Sequence, residues 1–400
     1  MSRHFATGID IGTYQVKAVI AEEVEVGERI VPKIIGTGIA ESKGLHHGYI
    51  TNQSEVARSV ESAIAQAEKA AGIEVKRAFV SVGGVGLSSV VASGSATISR
   101  ADLEITSLDI EAAQESAEAA IPHALSLNRQ IINTIPIEWK LDGRPALGRI
   151  EGMKASKLEV KTLFITCLEH HLEDLIQAVE QANIEVIDVV AAPIAASLVT
   201  LSKKQKKAGC VLANIGAETL SMVVFENSNP ISLEVFELGS MDITNDIALG
   251  LKVPLEEAES IKLGSVTRAS FSKKKLDDIV SARLSDMFEL IDAHLKKIGR
   301  QALLPAGIIM TGGGAGLTVL KEFAEGALKL PSKIAEIHFG DTEKFAAKDS
   351  MWAVAYGLAI LGFNAENEQK SVGLKSIEKM TEKGKRGIRR LSDWVGNFLP

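Results

Sequence analysis

The sequence predicts an α/β protein of two similar halves, with a small α+β module inserted into the first half and an amphipathic helix at the C-terminus. Three observations predict it. First, the segment ATGIDIGTYQVKAVIAEE, Ala6 to Glu23, returns in looser form as CVLANIGAETLSMVVFEN, Cys210 to Asn227. Asp10 falls on Asn214 and Gly12 on Gly216, an offset of 214 − 10 = 204 residues. Second, three glycine-bearing turns each follow an apolar run: Asp10-Ile11-Gly12-Thr13, Asn214-Ile215-Gly216-Ala217-Glu218-Thr219 and Thr311-Gly312-Gly313-Gly314-Ala315. Third, from Gly83 to Lys161 the pattern changes to Gly/Ser-rich alternating strands around one helix, unlike either flank.

Taken in order, each repeat copy reads as a hairpin: a β-rich run, an Asx-Ile-Gly turn, and a second apolar strand. The turn tips expose backbone N–H groups, and glycine lets the main chain approach an anion closely, so two facing tips suit one polyphosphate. The stretch EVARSVESAIAQAEKAA, Glu55 to Ala71, carries Val56, Val60, Ile64 and Ala67 at helical spacing and stops at Gly72. A strand, EVKRAFVSVGG, follows. The inserted module contains a helix after a Ser107 cap and strands around NRQIINTIPIEWKLDG and LEVKTLFIT. A helix, HHLEDLIQAVEQAN, and a strand, IEVIDVV, return to the first half, and AAPIAASLVTL forms a connecting helix. The basic run KKQKKAG reads as a loop into the second hairpin, and a long helix is expected from about Leu276 to Ile298. Ala306 to Met310 is a buried strand by composition, and the last core helix, SMWAVAYGLAILGF, ends near Asn364. Residues 1–82 and 162–195 then form the first half, 83–161 the module, and 196–364 the second half with a helical subdomain at about 240–304. A polar linker, 365–384, and the terminal helix, 385–400, complete the chain.

Composition bounds the function. Of 400 residues, 46% are hydrophobic and 24% charged, the balance of a water-soluble globular protein with room for two domains. Aromatics at 4% and a net charge of −7 argue against a nucleic-acid partner, so any attraction to an anionic surface must be local. The two cysteines, Cys167 and Cys210, lie in apolar runs and read as reduced, which points to a cytosolic setting. No run reaches the ~18 uninterrupted apolar residues of a membrane span, and MSRHFATGID has no apolar leader core. The His46-His47 and His170-His171 pairs lack the Cys or Glu at i, i+4 spacing that would complete a metal site.

The order and wording of the three turns resemble the actin, sugar-kinase and heat-shock-chaperone superfamily. Over nearly the whole chain the sequence is most similar to the FtsA family of actin-like bacterial cell-division proteins. The likeness is carried by GIDIGTYQVKAVIAE, VLANIGAETLSMVVF, GIIMTGGGAGL and LGSMDITNDIALGLKVPLEEAESIK, together with the position of the inserted module. It implies an actin-like fold of two RNase-H-like halves binding ATP and Mg²⁺. Gly12, Thr13 and Tyr14 would line the phosphates with Lys17 adding a charge-assisted contact, and Asp10 would hold Mg²⁺ through water. Asn214, Gly216, Ala217, Glu218 and Thr219 would form the second phosphate loop, Gly312, Gly313 and Gly314 would back the adenosine, and Glu259 and Lys262 would reach the ribose and base. For Lys262 a solvated helix face is the competing reading.

Two departures bear on chemistry. The second loop has Asn214 where hydrolytic relatives usually have Asp, and Ala192 precedes Pro193 where a Glu or Gln often orients water. ATP turnover is therefore expected to be slow or absent. The resemblance also implies a filament-forming protein, peripheral on the cytoplasmic side of the cell membrane at the division site, that tethers FtsZ and recruits later division proteins. Arg283 and Asp286 would receive the FtsZ C-terminal peptide, an ordinary exposed ion pair being the competing reading. A pilus-assembly homologue of the PilM type and a small-molecule kinase of the same superfamily are the alternatives.

The C-terminal residues KGKRGIRRLSDWVGNFLP place Ile388, Leu391, Trp394, Val395, Phe398 and Leu399 on one helical stripe, with Lys385, Arg386, Arg389 and Arg390 mostly off it. Trp and Phe on an apolar face beside a basic cluster suit a helix lying in the headgroups of anionic lipid.

Overall fold

Seven residues of strand β1 (Phe5–Ile11) pair antiparallel with β2 (Gln15–Val26), in register from Phe5↔Glu22 to Ile11↔Val16. The computed structural model describes residues 4–26, 29–265, 272–337 and 350–371. Strand β3 (Arg29–Glu41) adds to β2 at the edge of the sheet. The sequence reading did not anticipate this strand, because Pro32 and two glycines interrupt its pattern. An edge strand tolerates a residue without an N–H, so Pro32 fits there. Two short strands, β4 (Leu45–His46) and β5 (Tyr49–Ile50), form a small hairpin before helix α1 (Gln53–Ala71). Asn52 caps α1 by accepting the Glu55 N–H at 3.3 Å, and Gly72 ends it in the left-handed conformation. Strand β6 (Arg77–Val82) then lies parallel to β1.

The inserted module comprises β7 (Leu87–Thr97), α2 (Ser107–Ala119), the single turn α3 (His123–Ser126), β8 (Arg129–Leu141), β9 (Arg144–Ala146) and β10 (Lys157–Leu168). Its sheet order is β7-β10-β8-β9, with α2 over one face and a separate apolar core around Phe164, Leu158 and Ile105. The cap of α2 is Thr106, not Ser107: Asp109 accepts both the Thr106 N–H and its hydroxyl at 2.8 Å. The module also extends past Lys161, because β10 stays paired with β7 as far as Cys167↔Leu87.

Helix α4 (Glu169–Gln181), strand β11 (Glu185–Ala191) and helix α5 (Ala192–Thr200) complete the first half, whose sheet reads β11-β6-β1-β2-β3. The KKQKK run is helix α6 (Lys203–Ala208), a correction to the expected loop. Ser202 and Gln205 form a capping box, and the Lys206 ammonium sits 5.1 Å from the Phe225 ring centroid under near-complete burial.

In the second half, β12 (Cys210–Ile215), β13 (Leu220–Glu226) and β14 (Asn229–Phe236) repeat the meander of β1, β2 and β3. Helices α7 (Ser240–Leu251), α8 (Leu255–Lys262) and α9 (Lys273–Lys297) follow, then β15 (Ile308–Thr311), α10 (Leu320–Leu328), β16 (Ser332–Ile334) and α11 (Ala353–Ser371). The second sheet, β14-β13-β12-β15-β16, matches the first strand for strand when read in the opposite direction. In both, the central strand has one antiparallel neighbour from its hairpin and one parallel neighbour reached by a crossover. Successive residues of β12 and β15 serve two cores. Leu212 and Ile309 face the core of the first half, while Val211, Ala213, Ile308 and Met310 face α7 to α10. The chain passes between halves through α5 and α11, which pack on each other. Helix α11 runs to Ser371, beyond the expected end at Asn364, and the membrane-helix residues 385–400 lie outside the described residues.

His171 on α4 is buried, its Nε2 lying 3.3 Å from the Gly83 carbonyl and its Nδ1 without a hydrogen-bond partner among the described residues. Burial depresses its pKa below the ordinary 6.5, only partly opposed by the Gly83 hydrogen bond. The unfolded chain then takes up this proton first as pH falls, so the native state loses stability below pH 6.5 down to the folded pKa. Urea midpoints measured from pH 7.5 to 5.5 should fall, and His171→Gln should flatten part of that slope. An identical slope in the variant would contradict the assignment.

Candidate functional site

The turn of the first hairpin is closed by the Gly12 N–H donating to the Gln15 carbonyl at 3.2 Å. Directly behind it three side chains from three adjacent strands form a row. Asp10 on β1 accepts from the Ser81 hydroxyl on β6 at 2.9 Å, and its other oxygen lies 3.9 Å from the Lys17 ammonium on β2. Ser81 is used twice, since its oxygen also accepts the Ile11 N–H at 3.3 Å. Burial raises the Asp10 pKa, while Lys17 and then Ser81 act against that rise. Tyr14 projects from the turn, 58% exposed, with its carbonyl fixed by the Ser42 N–H at 3.0 Å. The sequence placed Asp10 and Lys17 here but missed Ser81. Ser81 has no place in the hairpin motif and meets Asp10 only because β6 crosses over to lie beside β1.

The second sheet builds the same row without charges. Asn214 sits between Ser221 on β13 and Thr311 on β15, and Ser221 matches Lys17 at the repeat offset, 17 + 204 = 221. The Thr311 hydroxyl donates to the Ser350 carbonyl at 2.9 Å, and the Ser350 hydroxyl donates to the Gly312 carbonyl at 3.3 Å. Gly312 has φ +90° and ψ 173°, a conformation essentially confined to glycine, and a Cβ there would collide with the Asn214 side chain and the Ile215 carbonyl. Gly313 and Gly314 open a 3₁₀ turn, Gly313–Gly316, that packs Gly314 against Ile215 and Ser240.

Ser240 begins α7 and is tied to the second loop: its N–H donates to the Gly216 carbonyl at 2.9 Å, and the Met241 N–H donates to the Ala217 carbonyl at 2.8 Å. The Gly216 N–H closes the turn on the Thr219 carbonyl at 2.8 Å. Lys262 on α8 reaches back to this point. Its ammonium donates to the Ser240 carbonyl at 3.2 Å and the Thr244 hydroxyl at 2.8 Å, and pairs with Glu259 at 2.7 Å. Thr244 in turn donates to Glu259 at 2.6 Å. The Lys262 side chain is only 7% exposed, so it is not a solvated helix face. The second loop, the Gly312–Gly314 loop and the Glu259–Lys262 pair therefore lie together around Ser240. Ser240 and Thr244, which link them, were not foreseen, although their i, i+4 spacing on a helix opening behind Gly239 was visible.

Glu218 does not point back into its own half. Its carboxylate accepts the His47 N–H from the β4–β5 hairpin at 2.6 Å and lies 3.6 Å from His46 Nδ1. Arg283 and Asp286 stand elsewhere, on α9. Arg283 grips Asp246 of α7 through two N–H groups at 2.6 and 3.0 Å and reaches Asp286 at 3.3 Å. Ala192 is buried in the first turn of α5, presenting a methyl group where a water-orienting side chain was looked for. Among the described residues no three His, Cys, Asp or Glu side chains converge on a metal position.

Two matching five-stranded sheets, joined by two crossing helices and carrying paired turns on their central strands, define an actin-like protein. Solved structures agree on the fold. A PilM–PilN type IV pilus biogenesis complex superposes with a TM-score of 0.65 at 18% identity, over 89% of this chain and 98% of that one. MreB5 of Spiroplasma citri bound to AMPPNP gives 0.51 at 12% identity, over 93% of this chain and 99% of that one. The family model for cell division protein FtsA matches residues 211–357, and that for the SHS2 domain inserted in FtsA matches residues 84–166. Cell division protein FtsA of Streptococcus pneumoniae is 30% identical over 80% of this chain and 73% of its own length. The Pseudomonas aeruginosa FtsA is 25% identical over 98% of this chain and 97% of its own. The chain belongs to the FtsA family of cell-division proteins.

Substituting Gly312→Ala should destabilise the folded chain by about 1–3 kcal/mol, because alanine must adopt a glycine-only conformation against Asn214. Thermal unfolding checks it, and an unchanged midpoint would show that the loop relaxes freely.

Proposed function

We propose that the chain binds ATP with Mg²⁺ between its halves and, so closed, polymerises head to tail on the cytoplasmic face of the cell membrane at the division site. There its terminal segment holds lipid, and the α7–α9 face receives the C-terminal peptide of FtsZ while further division proteins are recruited. The observation that carries the nucleotide reading is the Lys17–Asp10–Ser81 row behind the first turn. A carboxylate with one oxygen fixed by a hydroxyl suits a hydrated Mg²⁺, a hard cation that keeps much of its water. Asp10 would hold that ion through water, and the ion would neutralise phosphate charge. Lys17 stands beside it as the cation for a phosphate oxygen. Gly12, Thr13 and Tyr14 line the first turn, Gly216, Ala217 and Thr219 the second, Gly312 to Gly314 support the adenosine, and Lys262, held by Glu259 and Thr244, faces the ribose side. The solved MreB5 relative, bound to AMPPNP, supports a nucleotide in a fold of this kind.

Binding is favoured over hydrolysis. Asn214 supplies no charge to a cation or to water, and Ala192 supplies no hydrogen bond to orient an attacking water. Calorimetry should find ATP bound more tightly with Mg²⁺ than with EDTA. Ser81→Ala should reduce that gain roughly tenfold, as for a lost hydrogen bond to a charged group, and Ser81→Thr should retain it. Phosphate release should stay below about one turnover per second. Equal affinity with and without Mg²⁺, or faster turnover, would sink this reading.

Membrane attachment rests on the residues 385–400, with Ile388, Leu391, Trp394, Val395, Phe398 and Leu399 on one stripe and Arg389 and Arg390 beside it. No helix among the described residues is long and apolar enough to cross a membrane. Four basic residues at about 1 kcal/mol each, with inserted aromatics, give reversible binding that a polymer multiplies by avidity. The partner reading places the FtsZ peptide near Arg283 and Asp286, where the bidentate pair with Asp246 braces α7 against α9. Deleting residues 384–400 should abolish sedimentation with anionic vesicles while leaving the nucleotide affinity intact. Vesicle binding that survives the deletion would remove the tail from the proposal.

A further inference from the structure

The β4–β5 hairpin is two residues wide at its tip, and both tip residues, His47 and Gly48, have positive φ (48° and 87°), the requirement of a type I′ turn. Three polar groups of His47 are engaged by other parts of the molecule. On one side the His47 N–H donates to the Glu218 carboxylate at 2.6 Å and His47 Nδ1 lies 3.2 Å from the Glu218 carbonyl, both on the second loop of the other half. On the other side the His47 carbonyl accepts the Val85 N–H at 3.3 Å. Gly48 and Gly84 meet backbone to backbone, so that a Cβ on either would collide with the other. Gly83 to Val85 is the root of the inserted module, and it is held again from α4, where His171 contacts the Gly83 carbonyl and stacks edge-on with Tyr49 at 5.3 Å. The hairpin base is closed at the start of α1, where the Gly44 carbonyl accepts the N–H groups of Thr51 and of the cap residue Asn52 at 2.8 and 3.1 Å.

The module has a second attachment. The Ser89 hydroxyl on β7 donates to the Leu233 carbonyl at 2.8 Å and accepts the Leu233 N–H at 2.9 Å, and the Asn229 amide donates to the Ile137 carbonyl at 3.0 Å. The module thus belongs to the first half by sequence yet is bonded along β7 and β8 to β14, the edge strand of the second sheet. A change in the angle between halves cannot leave both attachments undisturbed. The root contact is backbone against backbone, whereas the polar contacts to β14 are made by the Ser89 and Asn229 side chains beside the apolar core that Leu87, Ile135 and Leu163 share with Leu233.

We infer that Glu218 is a positioning residue, which the first half uses to hold the second loop through the 46–48 tip, and that this tip couples the loop to the inserted module. The inference builds on the proposed nucleotide site. A carboxylate is a poor direct neighbour for a phosphate, and the structure gives Glu218 a different task. It fixes where the second loop stands when the halves close, and the same two-residue tip carries that position to Gly83–Val85 and so to the module. The module's orientation then reports the state of the cleft to whatever the module touches.

Hydrogen exchange on the full-length chain, with calorimetric ATP binding on the same preparations, tests this. In nucleotide-free protein Glu218→Ala should speed exchange of amides 83–97 roughly tenfold, the effect of losing one hydrogen bond to a charged acceptor. Glu218→Gln, which keeps an acceptor oxygen, should stay close to the unsubstituted chain, and α9 amides should not change in either variant. Unchanged exchange of 83–97 in Glu218→Ala overturns the coupling, as does equal loosening of α9, which would mark general destabilisation. ATP should protect 83–97 in the unsubstituted chain and not in Glu218→Ala, and equal protection in both also overturns it. Absence of ATP binding to the unsubstituted chain would sink the nucleotide reading alone, because the nucleotide-free comparison stands by itself.

Discussion

The crossing of α5 and α11 is the constraint on which the rest of the molecule depends. Both helices are apolar, and at their contact Gly357 of α11 lies against the backbone of Ala195 on α5, so closely that a Cβ at 357 would collide with it, while the Ala355 and Ala359 turn of α11 lies against Gly8 of β1. A glycine at the contact brings the two helix backbones close, and any side chain there would force them apart. The chain passes between its halves through these two helices, and the first half's core continues through them onto Leu212, Val223 and Ile309 of the second sheet. One apolar joint therefore sets how far apart the two turns stand. Polar contacts between the halves, chiefly Glu218 with His47, add to that joint.

Most of the architecture was legible because it is local or repeated. The hairpins at Asp10 and Asn214, the long helix of the second half and the foreign pattern of the module all announce themselves within a few dozen residues. Strand β3 was hidden by Pro32, since a proline reads as a break until the strand is known to be an edge. Helix α6 was hidden by charge: five polar residues in a row suggest a loop, and only the Ser202–Gln205 box and the burial of Lys206 beneath Phe225 make it a helix. Within the site, the residues found were those inside motifs. Those missed are second partners brought in by crossovers, Ser81 from 71 residues away and His47 from 171, and no periodicity encodes such contacts.

The repeat also shows how two matching halves differ in the chemistry they carry. The Lys17–Asp10–Ser81 row and the Ser221–Asn214–Thr311 row occupy the same strands in the same order. Only the first carries charge. Placing a second carboxylate opposite the first in a partly buried cleft would raise both pKa values and repel a polyphosphate. Asn214 avoids this cost and gives up the charge that activation of water would need. The pair of rows is thus asymmetric in charge, which is the basis of the proposal that the site holds a nucleotide more readily than it consumes one.

On the proposed nucleotide reading, slow turnover leaves hydrolysis little use as a clock and the bound state more use as a signal. For such a signal to leave the cleft it must travel through contacts with two discrete arrangements, not through a continuously yielding core. The module is built for that. One face of its sheet has its own core around Phe164, while the other, with Leu87, Ile135, Leu163 and Ile165, lies in the main core, and its polar attachments reach both halves. A unit inserted into one lobe and leaning on the other must tilt when the lobes turn. On the proposed reading, a module bonded to both halves is the part of this chain suited to respond to what the cleft contains.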